Sequence, residues 1–208
     1  MDKESFVPRV RQRILIAMLL VVLVPSLFAQ PLSPAEVNPM DRVFLYPYSR
    51  GLDIASDITQ YAAFASPAVF LFVVPESDYM ETALMYAGSS LLAFGAGSLI
   101  KALVPRDRPY MYFDNPPAQA AVEGDESFPS RHSCIAFSAA AFGSTLFALR
   151  YPNSPYRLPV TITSYALALA TAALRVGSGN HFLSDVVAGA LIGTVSGIVI
   201  PLIFAREK

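Results

Sequence analysis

Apolar runs recur along this chain at a length that fits a lipid bilayer: 58–74, 82–104, 133–149, 158–174 and 186–204. About 20 such residues, coiled as a helix, cross the hydrocarbon layer. Inside lipid no water is available to the backbone, so each run must satisfy its own N–H and C=O groups, and a helix does that within one segment. The rest of the composition agrees, because 54% of the residues are hydrophobic and only 15% are charged, against about a quarter charged in a soluble domain. The expected fold class is all-α, an integral membrane bundle of five to six transmembrane helices. A formal net charge of -1 gives no footprint for nucleic acid.

A sixth run, 14–28, follows Arg9, Arg11 and Arg13 and precedes Ala29. It reads as a signal peptide or an N-terminal membrane anchor over residues 1–30, with 31–208 as the membrane-embedded domain. Leu27 fits poorly where a cleavage site wants a small residue, so both fates stay open. Either fate leaves residue 31 outside, since the basic flank stays in the cytoplasm. Arg150, Arg157, Arg206 and Lys208 then fall on the inner side, as the positive-inside rule expects. In a bacterium this is an inner-membrane protein whose polar strings face the periplasm or the exterior. The segment 31–57 is expected to form an amphipathic helix and a connection, and 110–128 the longest polar loop. Gly189, Gly193 and Gly197 are spaced for close helix packing. Pro67 and Pro201 are tolerable inside spans where neighbours satisfy the freed carbonyls. Cys134 is the single cysteine, read as a packing residue because it has no partner for a disulfide and no metal-site spacing.

Three short strings fall at outer helix ends. Lys101 and Arg108-Pro109 lie around the end of one run, and Pro105 should stop that helix. Pro129-Ser130-Arg131-His132 opens the next, where a helix N-terminus offers unpaired N–H groups to an anion. Ser130 can serve there as an N-cap or donate to a phosphate oxygen. Arg175, with a planar guanidinium fork suited to phosphate, closes another run, and His181 with Asp185 opens the last. If His181 starts a helical turn, Asp185 shares its face and fixes its tautomer. Three cations, two imidazoles and a carboxylate are what a site needs to hold a phosphate, attack it and protonate its leaving group.

These strings resemble the signature of the type 2 phosphatidic acid phosphatase superfamily: Lys-x6-Arg-Pro, Pro-Ser-Gly-His, and Ser-Arg-x5-His-x3-Asp. The match runs through Lys101, Arg108 and Pro109, then Pro129, Ser130 and His132, then Arg175, His181 and Asp185, within about residues 58–204. Arg131 stands where glycine is usual and Leu174 where serine is usual. The resemblance implies an acid phosphatase/vanadium haloperoxidase-like bundle and metal-independent phosphohydrolase chemistry with no cofactor. It implies His181 as nucleophile through a phosphohistidine, Asp185 as its support, and His132 as acid and then base. Lys101, Arg108, Ser130, Arg131 and Arg175 would hold the phosphate. The implied partners are the bilayer and a lipid phosphate, such as phosphatidic acid, phosphatidylglycerol phosphate, undecaprenyl pyrophosphate or a lipid A phosphate.

Other readings of these strings are a vanadium haloperoxidase, a hydrolase of small soluble phosphoesters, and a non-catalytic phospholipid-binding or transport protein. The hydrophobic chain argues against the first, whose members are soluble. Binding alone needs cations but neither imidazole, which argues against the last.

Overall fold

The structure is a computed structural model that describes residues 37–205. The N-terminal run with Arg9, Arg11 and Arg13, and the inner-side residues Arg206 and Lys208, lie outside the described residues. In chain order the helices are α1 (Pro39–Arg42), α2 (Arg50–Ala65), α3 (Phe70–Val73), α4 (Tyr79–Leu103), α5 (Ala120–Glu123), α6 (Arg131–Arg150), α7 (Arg157–Gly177) and α8 (Leu183–Phe204). Among the described residues, four segments are long and apolar enough to cross a membrane: Glu76–Leu103, Arg131–Arg150, Arg157–Gly177 and Leu183–Phe204. The outward faces of these helices carry Leu84, Leu91, Leu99, Ile162, Leu169 and Leu191, all exposed. So much uncovered apolar surface belongs in lipid. The protein is an integral membrane helical bundle.

The run 58–74 is helical in pieces. α2 passes through a 3-10 turn, Ser66–Val69, into α3. Pro67 lacks an N–H and cannot close the α ladder. Two tyrosines of α4 satisfy carbonyls near this break: the Tyr86 hydroxyl donates to Phe64 O at 2.5 Å and the Tyr79 hydroxyl to Leu71 O at 2.7 Å. α2 also begins eight residues before the apolar run does, at Arg50. Its first two turns carry Arg50, Asp53, Ser56 and Asp57 among apolar residues, so a hydropathy reading assigns them to a connection.

α6 makes its most extensive packing with α8. A Cβ at Gly189 would overlap the carbonyl oxygen of Ser130, one at Gly193 that of Cys134, and one at Gly197 that of Ser138. The glycine stripe therefore lets the α8 backbone lie directly on α6, as its spacing predicts. This contact sets the register between the helix that carries Asp185 and the helix that begins at Ser130.

The aromatic core lies away from the three strings. Phe70, Met85, Phe142, Leu146 and Phe147 pack together, and Arg150 Nη2 donates to Glu81 Oε1 at 2.6 Å beside them. The opposite end gathers the C-termini of α4 and α7 and the N-termini of α2, α6 and α8.

Candidate active site

The loop after α4 is folded back by backbone hydrogen bonds. Arg106 N donates to Asp125 O (2.7 Å), Arg108 N to Gly124 O (2.8 Å) and Ser127 N to Arg106 O (2.9 Å). This pairing brings residues 124–127 alongside the Lys101 string, and Lys101 Nζ donates to the carbonyl of Glu126. Ser130 N donates to Asp185 O at 3.1 Å, which ties the second string to the third. The turn after α7 uses Gly179 at φ +71°, where a Cβ would strike the carbonyl oxygens of Tyr46 and Pro47 at 2.5 and 2.7 Å. Glycine is required there on both counts.

His181 lies in this turn, two residues before α8. It does not start a helical turn with Asp185, as the spacing suggested. Its Nδ1 is 2.7 Å from the carbonyl oxygen of Ser127 and 3.7 Å from Asp185 Oδ2. A carbonyl oxygen only accepts, so Nδ1 carries the proton and Nε2 keeps its lone pair. The backbone carbonyl thus fixes the tautomer, a role the sequence assigned to Asp185. Burial comes first, and then the cations Arg175, Arg108 and Lys101, in holding the His181 pKa well below the ordinary imidazole value. The ring is neutral at neutral pH, as a nucleophile must be.

Asp185 is fully buried and multiply held. Ser127 Oγ donates to its Oδ2 at 2.6 Å, and Phe182 N to the same oxygen at 2.8 Å. Arg106 Nη1 donates to its Oδ1. Arg106 is itself buried, its guanidinium carbon 4.2 Å from the centre of the Phe182 ring. It bridges onward to Ser184 Oγ at 2.7 Å and Asp41 Oδ2 at 2.8 Å. Asp41, in α1, also accepts from Ser184 N at 2.9 Å and Ser184 Oγ at 2.7 Å. A buried carboxylate is tolerated when paired and bonded in this way.

The cations converge through polar intermediaries. Arg108 donates from Nη1 to Asn180 Oδ1 and from Nη2 to Glu123 Oε2, both at 3.0 Å. Asn180 donates on to Asp53 Oδ1 at 3.0 Å, and Arg175 Nη1 donates to that same oxygen at 2.5 Å. Arg108 Nε and Arg175 Nε are buried donors without an acceptor among the described residues.

The second string divides in its directions. Ser130 is the N-cap of α6, and its oxygen accepts from Ser133 N at 3.4 Å and from Ser133 Oγ at 3.2 Å. Its own proton remains to be donated. Arg131 turns outward to Glu126 Oε2 at 3.8 Å, with 37% of its side chain exposed. Its backbone N–H stands at the helix start. His132 Nε2 lies 2.8 Å from Asp57 Oδ1, on α2.

Arg106, Asp41, Asp53, Asp57, Ser127 and Asn180 were not singled out from the sequence. Only Arg106 and Asn180 gave a local signal, as neighbours of Arg108 and His181. The others reach the site from positions whose partners are distant in the chain.

A family model described as PAP2 superfamily matches residues 81–208. No curated protein matches in sequence. Among solved structures, the crystal structure of LpxE from Aquifex aeolicus is similar with a TM-score of 0.54 and 21% identity, over 77% of this chain and 91% of that one. The first transmembrane PAP2 type phosphatidylglycerolphosphate phosphatase from Bacillus subtilis is similar with a TM-score of 0.63 and 18% identity, over 94% of this chain and 97% of that one. At these identities the likeness establishes the shared fold.

Proposed function

The chain belongs to the PAP2 superfamily, and on that premise we propose that it removes a terminal phosphate from a membrane lipid through a phosphohistidine on His181. The observation that carries this reading is the 2.7 Å contact between His181 Nδ1 and the Ser127 carbonyl. It leaves Nε2 as a lone-pair nucleophile in a turn flanked by Arg175 and Arg108. In the first step Nε2 attacks phosphorus in line and the bond to the leaving alcohol oxygen breaks. His132 supplies the proton that this oxygen takes. The imidazolium formed at His181 keeps its Nδ1–H on the Ser127 carbonyl, with Asp185 3.7 Å away. Water then attacks the phosphohistidine and gives its proton to His132, which releases phosphate and restores both rings.

Lys101, Arg108 and Arg175 hold the equatorial oxygens, whose charge must be stabilised in the transition state. An anion there supplies the acceptors that Arg108 Nε and Arg175 Nε lack, where a buried donor left unpaired costs about 1–3 kcal/mol. The substrate is an amphiphile because the site lies at the ends of lipid-facing helices, where a headgroup arrives without leaving the bilayer. The candidates are phosphatidic acid, phosphatidylglycerol phosphate, an isoprenyl pyrophosphate and a lipid A phosphate. The charge asymmetry of the inner loops supports a site that opens on the periplasmic or outer face.

The test is rapid quenching with each of these four lipids carrying a radiolabelled terminal phosphate, in excess EDTA. An acid-labile, base-stable phosphoprotein is expected from one of them and none from His181→Ala. Phosphate release with no labelled protein, or label retained by His181→Ala, would overturn the covalent mechanism.

A further inference from the structure

We infer that Asp57 is the positioning residue of the acid–base histidine, holding His132 so that the proton on Nδ1 is the one delivered to the leaving oxygen. This rests on the acid–base role given to His132 above. The 2.8 Å contact engages His132 at Nε2, so a doubly protonated ring keeps its second N–H, on Nδ1, for the substrate. His132 stands in the first turn of α6, where the positive end of the helix dipole opposes a further positive charge. Asp57 is the carboxylate in contact with it, and it supplies the counter-charge an imidazolium needs.

The placement of Asp57 is built into the fold. Asp53 and Asp57 are four residues apart on α2 and share one face. Asp53 is pinned by Arg175 at 2.5 Å, by Asn180 at 3.0 Å and by the Tyr48 hydroxyl at 2.9 Å. Fixing Asp53 fixes the rotation of α2, and that rotation aims Asp57 at His132. α2 also lies ahead of residues 81–208, the part matched by the family model. The side chains of His132 and Asp57 are 28% and 47% exposed. The pair is thus open at the surface at this end of the bundle, the access a proton carrier needs between the two half-reactions. In the first, the phosphorus–oxygen bond breaks, the Nδ1 proton moves to the leaving oxygen and His132 becomes neutral. In the second, neutral His132 takes a proton from the attacking water and the pair with Asp57 is restored.

The experiment is a double-mutant cycle of Asp57→Asn and His132→Ala. It is read as the single-turnover rate of phosphoenzyme formation from the lipid substrate, and repeated with p-nitrophenyl phosphate. Asp57→Asn should slow the lipid reaction by about 10- to 100-fold and add less than about twofold in the His132→Ala background. Both lesions should shrink about tenfold or more with the aryl phosphate, because p-nitrophenolate leaves without a proton. If Asp57→Asn slows the His132→Ala protein by the same factor as the parent, Asp57 acts on packing and the inference fails while the acid role of His132 stands. If His132→Ala is as damaging with the aryl as with the lipid phosphate, the acid role itself fails.

Discussion

His181 and His132 stand at the same end of the bundle, yet the chain supports them by different means. His181 is buried, its tautomer set by a backbone carbonyl, and the adjacent Asp185 is locked by Ser127, Phe182 N and Arg106. His132 is partly open to water and is held by one carboxylate from another helix. The difference matches the roles proposed above for the two rings. A nucleophile needs one fixed direction and the neutral form, which burial among cations provides. A proton carrier must change charge twice per turnover, so it needs a flexible counter-ion and a route to water.

The largest test of that contrast is removal of each ring in turn. His181→Ala should lower turnover by on the order of 10³-fold or more, because the proposed covalent intermediate forms on this ring. His132→Ala should cost less, about 10²-fold to 10³-fold, since acid catalysis assists a step that still occurs. Phosphate release by the purified variants checks this. A His132→Ala protein more damaged than His181→Ala would invert the assignment of the two rings.

Next in size is the support around each ring, read as stability. Arg106→Ala leaves Asp41 and Asp185 buried with their shared cation gone, and breaking a buried pair in this way costs about 3–5 kcal/mol. Arg106→Lys should recover only part, because one ammonium cannot reproduce a fork that reaches Asp41, Ser184 and Asp185 together. Asp57→Asn should move stability by about 1 kcal/mol or less, as for other half-exposed pairs. Thermal unfolding in detergent distinguishes them. Equal losses at Arg106 and Asp57 would mean that the two supports do not differ as the burial indicates.

The same division separates what the sequence revealed from what it hid. The spans were legible because lipid imposes a run of about 20 apolar residues on any helix that crosses it, and the glycine stripe because four-residue spacing has one packing use. The three strings were legible as local patterns of chemically matched residues. Asp53 and Asp57 were not, since their partners Arg175 and His132 lie 122 and 75 positions away, and two acids in a polar stretch look like a solvated face. Ser127 meets His181 through its carbonyl, which no side-chain pattern reports. The pairing of Asp185 with His181 was read from helical spacing; the turn at Gly179 instead keeps His181 outside α8, with Nδ1 on the Ser127 carbonyl and Asp185 Oδ2 3.7 Å away. Arg131 was grouped with the phosphate-binding cations by its neighbours, and its guanidinium, at the first position of α6, lies 3.8 Å from Glu126 Oε2.

The smallest expected effect concerns protons on His181 and sharpens the contrast further. Its pKa in the folded protein is held well below the ordinary value by burial and by Arg175, Arg108 and Lys101. Below about pH 6.5, an ordinary imidazole value, the unfolded chain therefore binds a proton there that the folded chain refuses. Stability rises with pH wherever the unfolded state holds more protons. Wild-type protein should accordingly lose stability as pH falls from 6.5 toward the depressed folded value, by at most about 1.4 kcal/mol per pH unit from this one group. Above pH 7 the group contributes no slope. Replacing it by asparagine removes the titration without removing a polar side chain from the turn. The apparent Tm of His181→Asn in detergent, without phosphate, should fall less steeply between pH 6.5 and 5 than that of wild type, and the two slopes should coincide between pH 7 and 8. Parallel curves across the acid range would mean that His181 titrates alike in the folded and unfolded chain. Its neutrality would then come from ordinary solution pH, and the buried setting would serve direction alone.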